Sequence, residues 1–380
     1  MKIEKPTYNL YFGRYSSNSA SPWFSLGSNK KVKQTLSIAS KYFNNFYFIN
    51  YTPKEDNKIN SNEVHICSSL NPIILNLQIF TSFFELKEKL KLDKVNLNLI
   101  IYNADFKSFL FYLSSRISGL KSNLILQIED LPNARKSNIG FKGFINKLTF
   151  LILIKKAFFV FFASKGMQEI AKIKYKFGEK SSIYPPSLTK KYLEICNKRK
   201  KPFLDKLTTI VYAGSFHKDK GVYELIDAFN QAEIKNGLLN LYGPINKKIK
   251  NIVSKNNSIR LMGVVTIQEL FEAYANCDIL VNPHKKVVNN SYIFPCKNIE
   301  ILASGAYPIM SKYSLTDFNN HLIPKSCIYS STDELVKVLK TARENWFLIE
   351  AQINELVEDL RTNYSLEEIG KLFYKKIYGD

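Results

Sequence analysis

From Leu207 to Met310 the chain alternates short apolar runs with longer segments of helical period. The runs are Leu207–Tyr212, Leu238–Tyr242, Ser258–Leu261, Asp278–Asn282 and Tyr307–Met310. Between them, Val222–Gln231, Asn246–Lys255 and Ile267–Asn276 repeat apolar residues at helical spacing. Short strands each followed by a helix predict βαβ units, and so a parallel sheet covered on both faces. A similar series precedes it. Thr7–Phe12, Phe46–Tyr51, Leu97–Tyr102, Asn123–Ile128 and Phe158–Ala163 read as strands, and Val32–Phe43, Asp105–Ser118 and Phe144–Ala157 as helices. Tyr184-Pro185-Pro186 ends this series, and the charged, weakly patterned Lys190–Pro202 marks a boundary. Helices Asp333–Thr341, Trp346–Leu360 and Leu366–Ile377 finish the chain. The expected class is α/β, with two doubly wound, Rossmann-like domains facing across a cleft, 1–187 and 188–361.

Such sheets place ligands outside the C-terminal ends of their strands. In Phe294–Met310, Pro295 opens a helix and Gly305 closes it, with Ile299, Leu302 and Ala303 on one face. Lys297 lies in the first turn, and Glu300 one turn on, roughly opposite that face. A helix N-terminus offers free N–H groups and partial positive charge to a phosphate. A carboxylate one turn deeper suits a sugar hydroxyl. An ordinary amphipathic helix explains these residues equally well when they are taken alone. The turn after Leu207–Tyr212 adds Gly214, Lys218, Lys220 and Gly221. A solvated basic loop is the plainer account of that turn alone, but two such features at strand ends of one sheet favour a diphosphate. In the first domain, Leu26-Gly27-Ser28-Asn29 reads as a small-residue turn. Glu129-Asp130 ends the strand Asn123–Ile128, where a helix N-cap at Asp130 is the simpler alternative.

Net charge is +21 over 380 residues, with basic clusters at Lys30-Lys31-Val32-Lys33, Lys198–Lys201, Lys247–Lys250 and Lys285-Lys286. Nucleic acid, an anionic membrane face or phosphorylated small molecules suit such a surface, and a lysine-rich codon bias is the blander cause. The aromatic residues sit in core-like periodic segments and no nucleic-acid-binding motif occurs, so nucleic acid is the weakest of the three. Five scattered cysteines without a Cys-x-x-Cys pair argue against disulfides or structural zinc and for a reducing cytosol. No Walker sequence, His-x-x-x-His pair or suitably placed Asp-x-Asp appears, so neither ATP hydrolysis nor a metal site is expected. No signal peptide or run long enough to span a bilayer is present. Phe144–Ala157 reads as a core helix, with a helix lying on a membrane as the alternative.

The second domain resembles the nucleotide-sugar domain of retaining GT-B glycosyltransferases, the GT4-like group 1 family. The matching stretches are Tyr212-Ala-Gly-Ser…Lys220-Gly221-Val, Leu241-Tyr-Gly-Pro244, Ile259-Arg-Leu-Met-Gly263, Tyr274–Pro283 and Phe294-Pro-Cys-Lys-Asn-Ile-Glu300 through Gly305. The resemblance is strong over about 205–312. In the first domain it rests more thinly on the βα opening, Ile128-Glu-Asp130, Ala163–Met167 and Tyr184-Pro-Pro186. It implies a hexosyltransferase that moves a sugar from a UDP- or GDP-linked donor to a glycan or lipid-linked glycan, with retention and without a metal or other cofactor. Such enzymes build lipopolysaccharide O-antigen, capsule or exopolysaccharide, in the cytoplasm or on the inner face of the cytoplasmic membrane. Glu300 then matches the ribose-binding glutamate, Lys220 the lysine on the donor phosphates, and the N–H groups around Cys296 and Lys297 the pyrophosphate cradle. Phe294, Pro295, Gly214 and Ser215 border that donor site, and Arg260 to Val264 holds the base. Lys220, Lys297 and Asp130 become the catalytic candidates. Ser28, Asn29, Glu129 and Asp130 face the acceptor. The last helix, from about residue 362, should return to the first domain.

Two departures stand out. The family's first motif glutamate falls at Tyr292, and the arginine after the loop glycine is Ser215. A Phe-Pro-x-Lys-x-x-Glu subgroup also lacks the first acid, and Lys297 then supplies positive charge. The rival reading is a catalytically degenerate GT-B-fold binding or scaffold protein at the membrane surface. A sugar-nucleotide epimerase fits the Lys220/Glu300 pattern less well.

Overall fold

The computed structural model describes residues 5–16, 26–52, 62–67, 71–132, 140–177, 180–205, 207–285, 296–315 and 322–379. The chain divides into two compact units, the first comprising Met1–Pro186 with Ile369–Asp380, the second Ser187–Glu368.

The first unit is built on a seven-stranded sheet in which every pairing is parallel. Its strands are β1 (Thr7–Gly13), β2 (Phe46–Asn50), β3 (Glu63–His65), β4 (Asn96–Tyr102), β5 (Ser122–Ile128), β6 (Phe159–Phe162) and β7 (Ser181–Ile183). Their spatial order is β3-β2-β1-β4-β5-β6-β7. The chain thus starts at the middle, builds outward to one edge, then returns to build the other. Helices α1 (Leu26–Tyr42), α2 (Pro72–Lys89), α3 (Phe106–Ile117), α4 (Phe141–Lys156) and α5 (Lys165–Tyr175) make the connections. Central strands are nearly continuous apolar runs, as Leu97–Tyr102 shows, because helices cover both faces.

The second unit repeats the plan with a six-stranded parallel sheet, ordered β10-β9-β8-β11-β12-β13. Its strands are β8 (Thr208–Ala213), β9 (Gly237–Tyr242), β10 (Ile259–Gly263), β11 (Ile279–Asn282), β12 (Tyr307–Ser311) and β13 (Ile328–Tyr329). Its helices are α6 (Lys190–Cys196), α7 (Val222–Ala232), α8 (Lys247–Val253), α9 (Ile267–Ala275), α10 (Cys296–Ala303) and α11 (Thr332–Asn363). Helix α12 (Leu366–Tyr378) follows, and from Ile369 onward it belongs to the first unit. There Phe373 is fully buried among Phe161, Tyr184 and Phe43. The two doubly wound sheets and the returning last helix match the expected fold class.

Several elements differ from the sequence reading. Leu26–Asn29 is not a turn but the start of α1. The weakly patterned segment after residue 190 contains α6, whose N-terminus is capped where Thr189 Oγ1 accepts from Tyr192 N–H at 3.2 Å. The two helices expected between 333 and 360 are one, α11, because no glycine or proline interrupts them. Helix α2, absent from the sequence reading, carries Asn71 as its N-cap and Pro72 at its first turn.

Candidate functional site

In the second unit the strand order reverses between β8 and β11, which lie side by side with Leu280 beside Val211. Three segments meet at the C-terminal ends of these strands. β8 leads through Gly214 and a tight turn at Lys218–Lys220 into α7. β11 continues as Pro283-His284-Lys285, and α10 begins at Cys296.

Gly221 fixes the first two against each other. Its φ is +70°, and a Cβ there would lie 1.7 Å from the Pro283 carbonyl oxygen, so only glycine allows this approach. Lys285 N–H donates to the Asp219 carbonyl at 3.2 Å, and the Lys285 ammonium pairs with Glu224. The third segment is tied in by polar side chains. Lys297 Nζ donates to the Ala213 carbonyl at 2.5 Å, reaching the end of β8. The Asn282 amide donates to Asn298 Oδ1 at 2.5 Å, and Asn298 donates to the Ser314 carbonyl at 2.5 Å. At the other end of α10, Arg199 and Arg361 donate to the carbonyls of Ser304 and Ala303 at 3.1 and 3.0 Å. Cations there complement the helix dipole.

The electrostatics follow from this crowding. Burial holds the Lys220 ammonium below the usual lysine value, with Asp219 working in the opposite direction. His284 is pushed down to about 3, first by burial and then by the charges of Lys220 and Lys297. The imidazole is therefore neutral at ordinary pH, beside two lysine cations. An anion entering here would meet two ammonium groups and a hydrogen-bonding ring at the mouth of a sheet.

The other donor-side candidates are placed as follows. Gly214 N–H donates to the Tyr242 carbonyl at 2.9 Å, and the Ser215 carbonyl accepts from Tyr212 Oη at 2.9 Å. Arg260 is exposed on β10, two strands from β8, and Val264 just beyond it is 77% exposed. Phe294, Pro295 and Tyr292 lie outside the described residues, as does the side chain of Cys296. The reading of α10 as an amphipathic helix needs a correction. Residues Asn298 to Ser304 are all buried, so α10 is covered all round rather than amphipathic, and Glu300 is only 6% exposed. Tyr192 of α6 donates to its backbone carbonyl, and its carboxylate, after burial, raises the Tyr274 hydroxyl. That hydroxyl is buried without a hydrogen-bond partner among the described residues.

In the first unit, β5 runs into Glu129 and Asp130, and both backbone N–H groups donate to Asn103 Oδ1, at 2.8 and 3.3 Å. Asn103, the residue after β4, has φ +60°, a conformation asparagine tolerates. Asp130 is half-buried. Glu129 accepts from Gln127 at 3.3 Å and pairs with Lys31 at 3.5 Å. Burial raises its carboxyl and Lys31 opposes that. Lys31, read as part of a surface cluster, is 2% exposed; it donates to the Tyr184 carbonyl at 2.9 Å and lies over the Tyr184 ring. Glu129 is thus held in a largely buried ion pair. Asn29, in the first turn of α1, donates to the Ser16 carbonyl at 2.6 Å, while its Oδ1 is buried without a partner among the described residues. Of Ser28 only the helical backbone is described.

Sequence reasoning missed His284, Asn282, Asn298 and Asn103. His284 stands two residues past the strand Asp278–Asn282, which is the signal that would have found it. The asparagines carried no distinguishing pattern.

A family model described as glycosyl transferases group 1 matches residues 208–341. A comparison with curated proteins finds no match in sequence. Among solved structures, sucrose-phosphate synthase from Thermosynechococcus elongatus superposes with TM-score 0.70 at 13% identity, over 98% of this chain and 99% of that one. A glycosyltransferase from Rickettsia africae ESF-5 gives 0.70 at 14% identity over 100% of both chains. HepE of Anabaena in complex with UDP gives 0.68 at 14%, over 97% and 99%. The chain has the GT-B fold of these structures, and its second unit carries the stretch matching the group 1 glycosyl transferases.

Proposed function

We propose that the chain is a glycosyltransferase that moves a hexosyl unit from a nucleoside-diphosphate sugar to a glycan or lipid-linked glycan acceptor. The observation that carries this reading is the meeting of Lys220, Lys297 and His284 at adjacent strand ends, inside the stretch matched by the family model. HepE of Anabaena has been solved with UDP, and with UDP and glucose, which supports a nucleotide-sugar donor. Lys220, Lys297 and the N-terminus of α10 hold the departing diphosphate, supplying the positive charge a metal supplies elsewhere. Glu300 binds the nucleotide ribose, Arg260 to Val264 the base, and Asp130 the acceptor. Transfer proceeds with retention, in the cell-surface polysaccharide pathways of a cytoplasmic enzyme peripheral to the membrane. Among the described residues no helix is long and apolar enough to cross a bilayer.

A thermal-shift screen of UDP-, GDP- and ADP-sugars identifies the donor, and nucleotide release with an acceptor panel measures turnover. Lys220→Ala should lower kcat by about 100-fold, the effect of losing one donor to transition-state charge. Glu300→Gln should raise the donor KM with a smaller change in kcat. Wild-type turnover in both variants would sink the site assignment. Ser215, where related loops carry an arginine, favours the second reading, a binding protein that retains the fold. Donor binding with no nucleotide released over the whole panel would select it.

A further inference from the structure

Helices α2, α3 and α4 cover one face of the seven-stranded sheet, with α3 packed against both neighbours. Phe83 of α2 and Phe111 of α3 meet beside Phe12 of β1. Their inner sides are the buried ones: Leu75, Ile79 and Leu86 in α2, Phe150, Leu153 and Ile154 in α4. Their outer sides do not turn polar, as a water-facing layer should. Phe141, Phe144 and Leu148 form an exposed stripe along α4 at helical spacing, the first 79% and the second 63% exposed. Ile73 and Leu77, one turn apart, do the same at the start of α2, while Ile117 is exposed at the other end of the layer, where α3 ends beside Lys87 of α2.

The charges on this layer are mostly of one sign. α4 carries Lys142, Lys147, Lys155 and Lys156 and no acidic residue. α3 has no acidic residue, and α2 is uncharged from Pro72 to Phe84, with Glu85 and Glu88 balanced by Lys87 and Lys89 at its end. Phenylalanines flanked by lysines suit a surface that is hydrocarbon inside and anionic at its rim. An acidic protein would have to match both the lysines and the outline of the phenylalanine stripe, whereas a bilayer accepts any apolar outline below an anionic rim. A second copy of this chain, with net charge +21, would set lysine against lysine across a self-complementary contact.

We propose that the outer face of α2, α3 and α4 docks on an anionic lipid bilayer. Phe141, Phe144 and Leu148 enter the boundary between headgroups and acyl chains, and the α4 lysines meet lipid phosphates. This deepens the peripheral-membrane part of the reading above by assigning the contact to one face. The test is co-sedimentation with vesicles of phosphatidylcholine alone or mixed with phosphatidylglycerol. It uses the whole protein, Phe141→Ser/Phe144→Ser, Lys142→Glu/Lys147→Glu, and Phe347→Ser/Leu348→Ser on α11 as an exposed apolar control. All changes lie on exposed positions, and an unchanged melting temperature and donor affinity confirm folding.

The wild type should prefer the mixed vesicles. Each α4 double variant should bind about tenfold more weakly, and the α11 control should match the wild type. Unchanged binding by both α4 variants overturns the face assignment while the peripheral reading stands. Wild-type protein that ignores both vesicles overturns the two together. Equal affinity for neutral and mixed vesicles overturns the role of the lysines. A solution dimer that the α4 variants dissociate assigns the face to a second copy and overturns the lipid.

Discussion

His284 is the residue whose chemistry is set most strongly by its neighbours. Its folded value of about 3 lies below the ordinary 6.5, so between these values the unfolded chain binds a proton that the folded chain refuses. Stability contributed by the neutral ring is therefore intact above pH 6.5 and is lost as pH falls toward 3, by at most about 1.4 kcal/mol per pH unit. Thermal melts from pH 7.5 downward should show a steeper loss for wild type than for His284→Gln, and parallel curves would refute the assignment. The positions of Lys220 and Lys297 at strand ends could be read from the sequence, because a strand-to-helix turn and a helix start are both recognisable in the local pattern. The burial of Lys31 and Glu300 could not. Each occupies a position whose local pattern allows exposure, and only tertiary partners, Tyr184 for one and Tyr192 for the other, close over it.

Among the elements, α10 and the turn into α7 are held together by backbone geometry as much as by side chains. Gly221→Ala must strain a positive φ, worth roughly 1–2 kcal/mol, and must also push the turn away from Pro283. Gly119 offers the comparison, with φ +80° and nothing within 4 Å of an added Cβ. Gly119→Ala should cost only the backbone strain. Gly221→Ala should cost more in a urea melt and weaken nucleotide binding as well, and equal losses in the two variants would count against the close approach. The longer strands of both sheets and most helices were legible because periodicity survives in a single sequence, whereas β3, β7 and β13, of two or three residues each, are too short to show one. The exceptions have physical causes. α6 has seven residues, too few to establish a period, and in α11 a run without breakers was divided where its apolar pattern weakened. The start of α1 was hidden by Gly27, Ser28 and Asn29, residues typical of turns.

At the scale of the molecule, the first unit is discontinuous in sequence and the second is not. Ile369, Phe373 and Ile377 are buried in the first unit, and burying each contributes about 1.5–3 kcal/mol. A chain ending at Glu368 should therefore expose the first unit to limited proteolysis while 187–368 survives as a protected fragment that still binds nucleotide. Equal protease resistance with and without the last residues would contradict this dependence. The return of α12 also sets an order of manufacture. The ribosome makes the chain up to Pro186 first, but the residues that cover Phe43, Phe161 and Tyr184 are made only after the whole of 187–368. At ordinary elongation rates that interval is roughly 10–40 s. For that time the earlier-made half waits with an open seam, and the later-made half is the first that can finish folding.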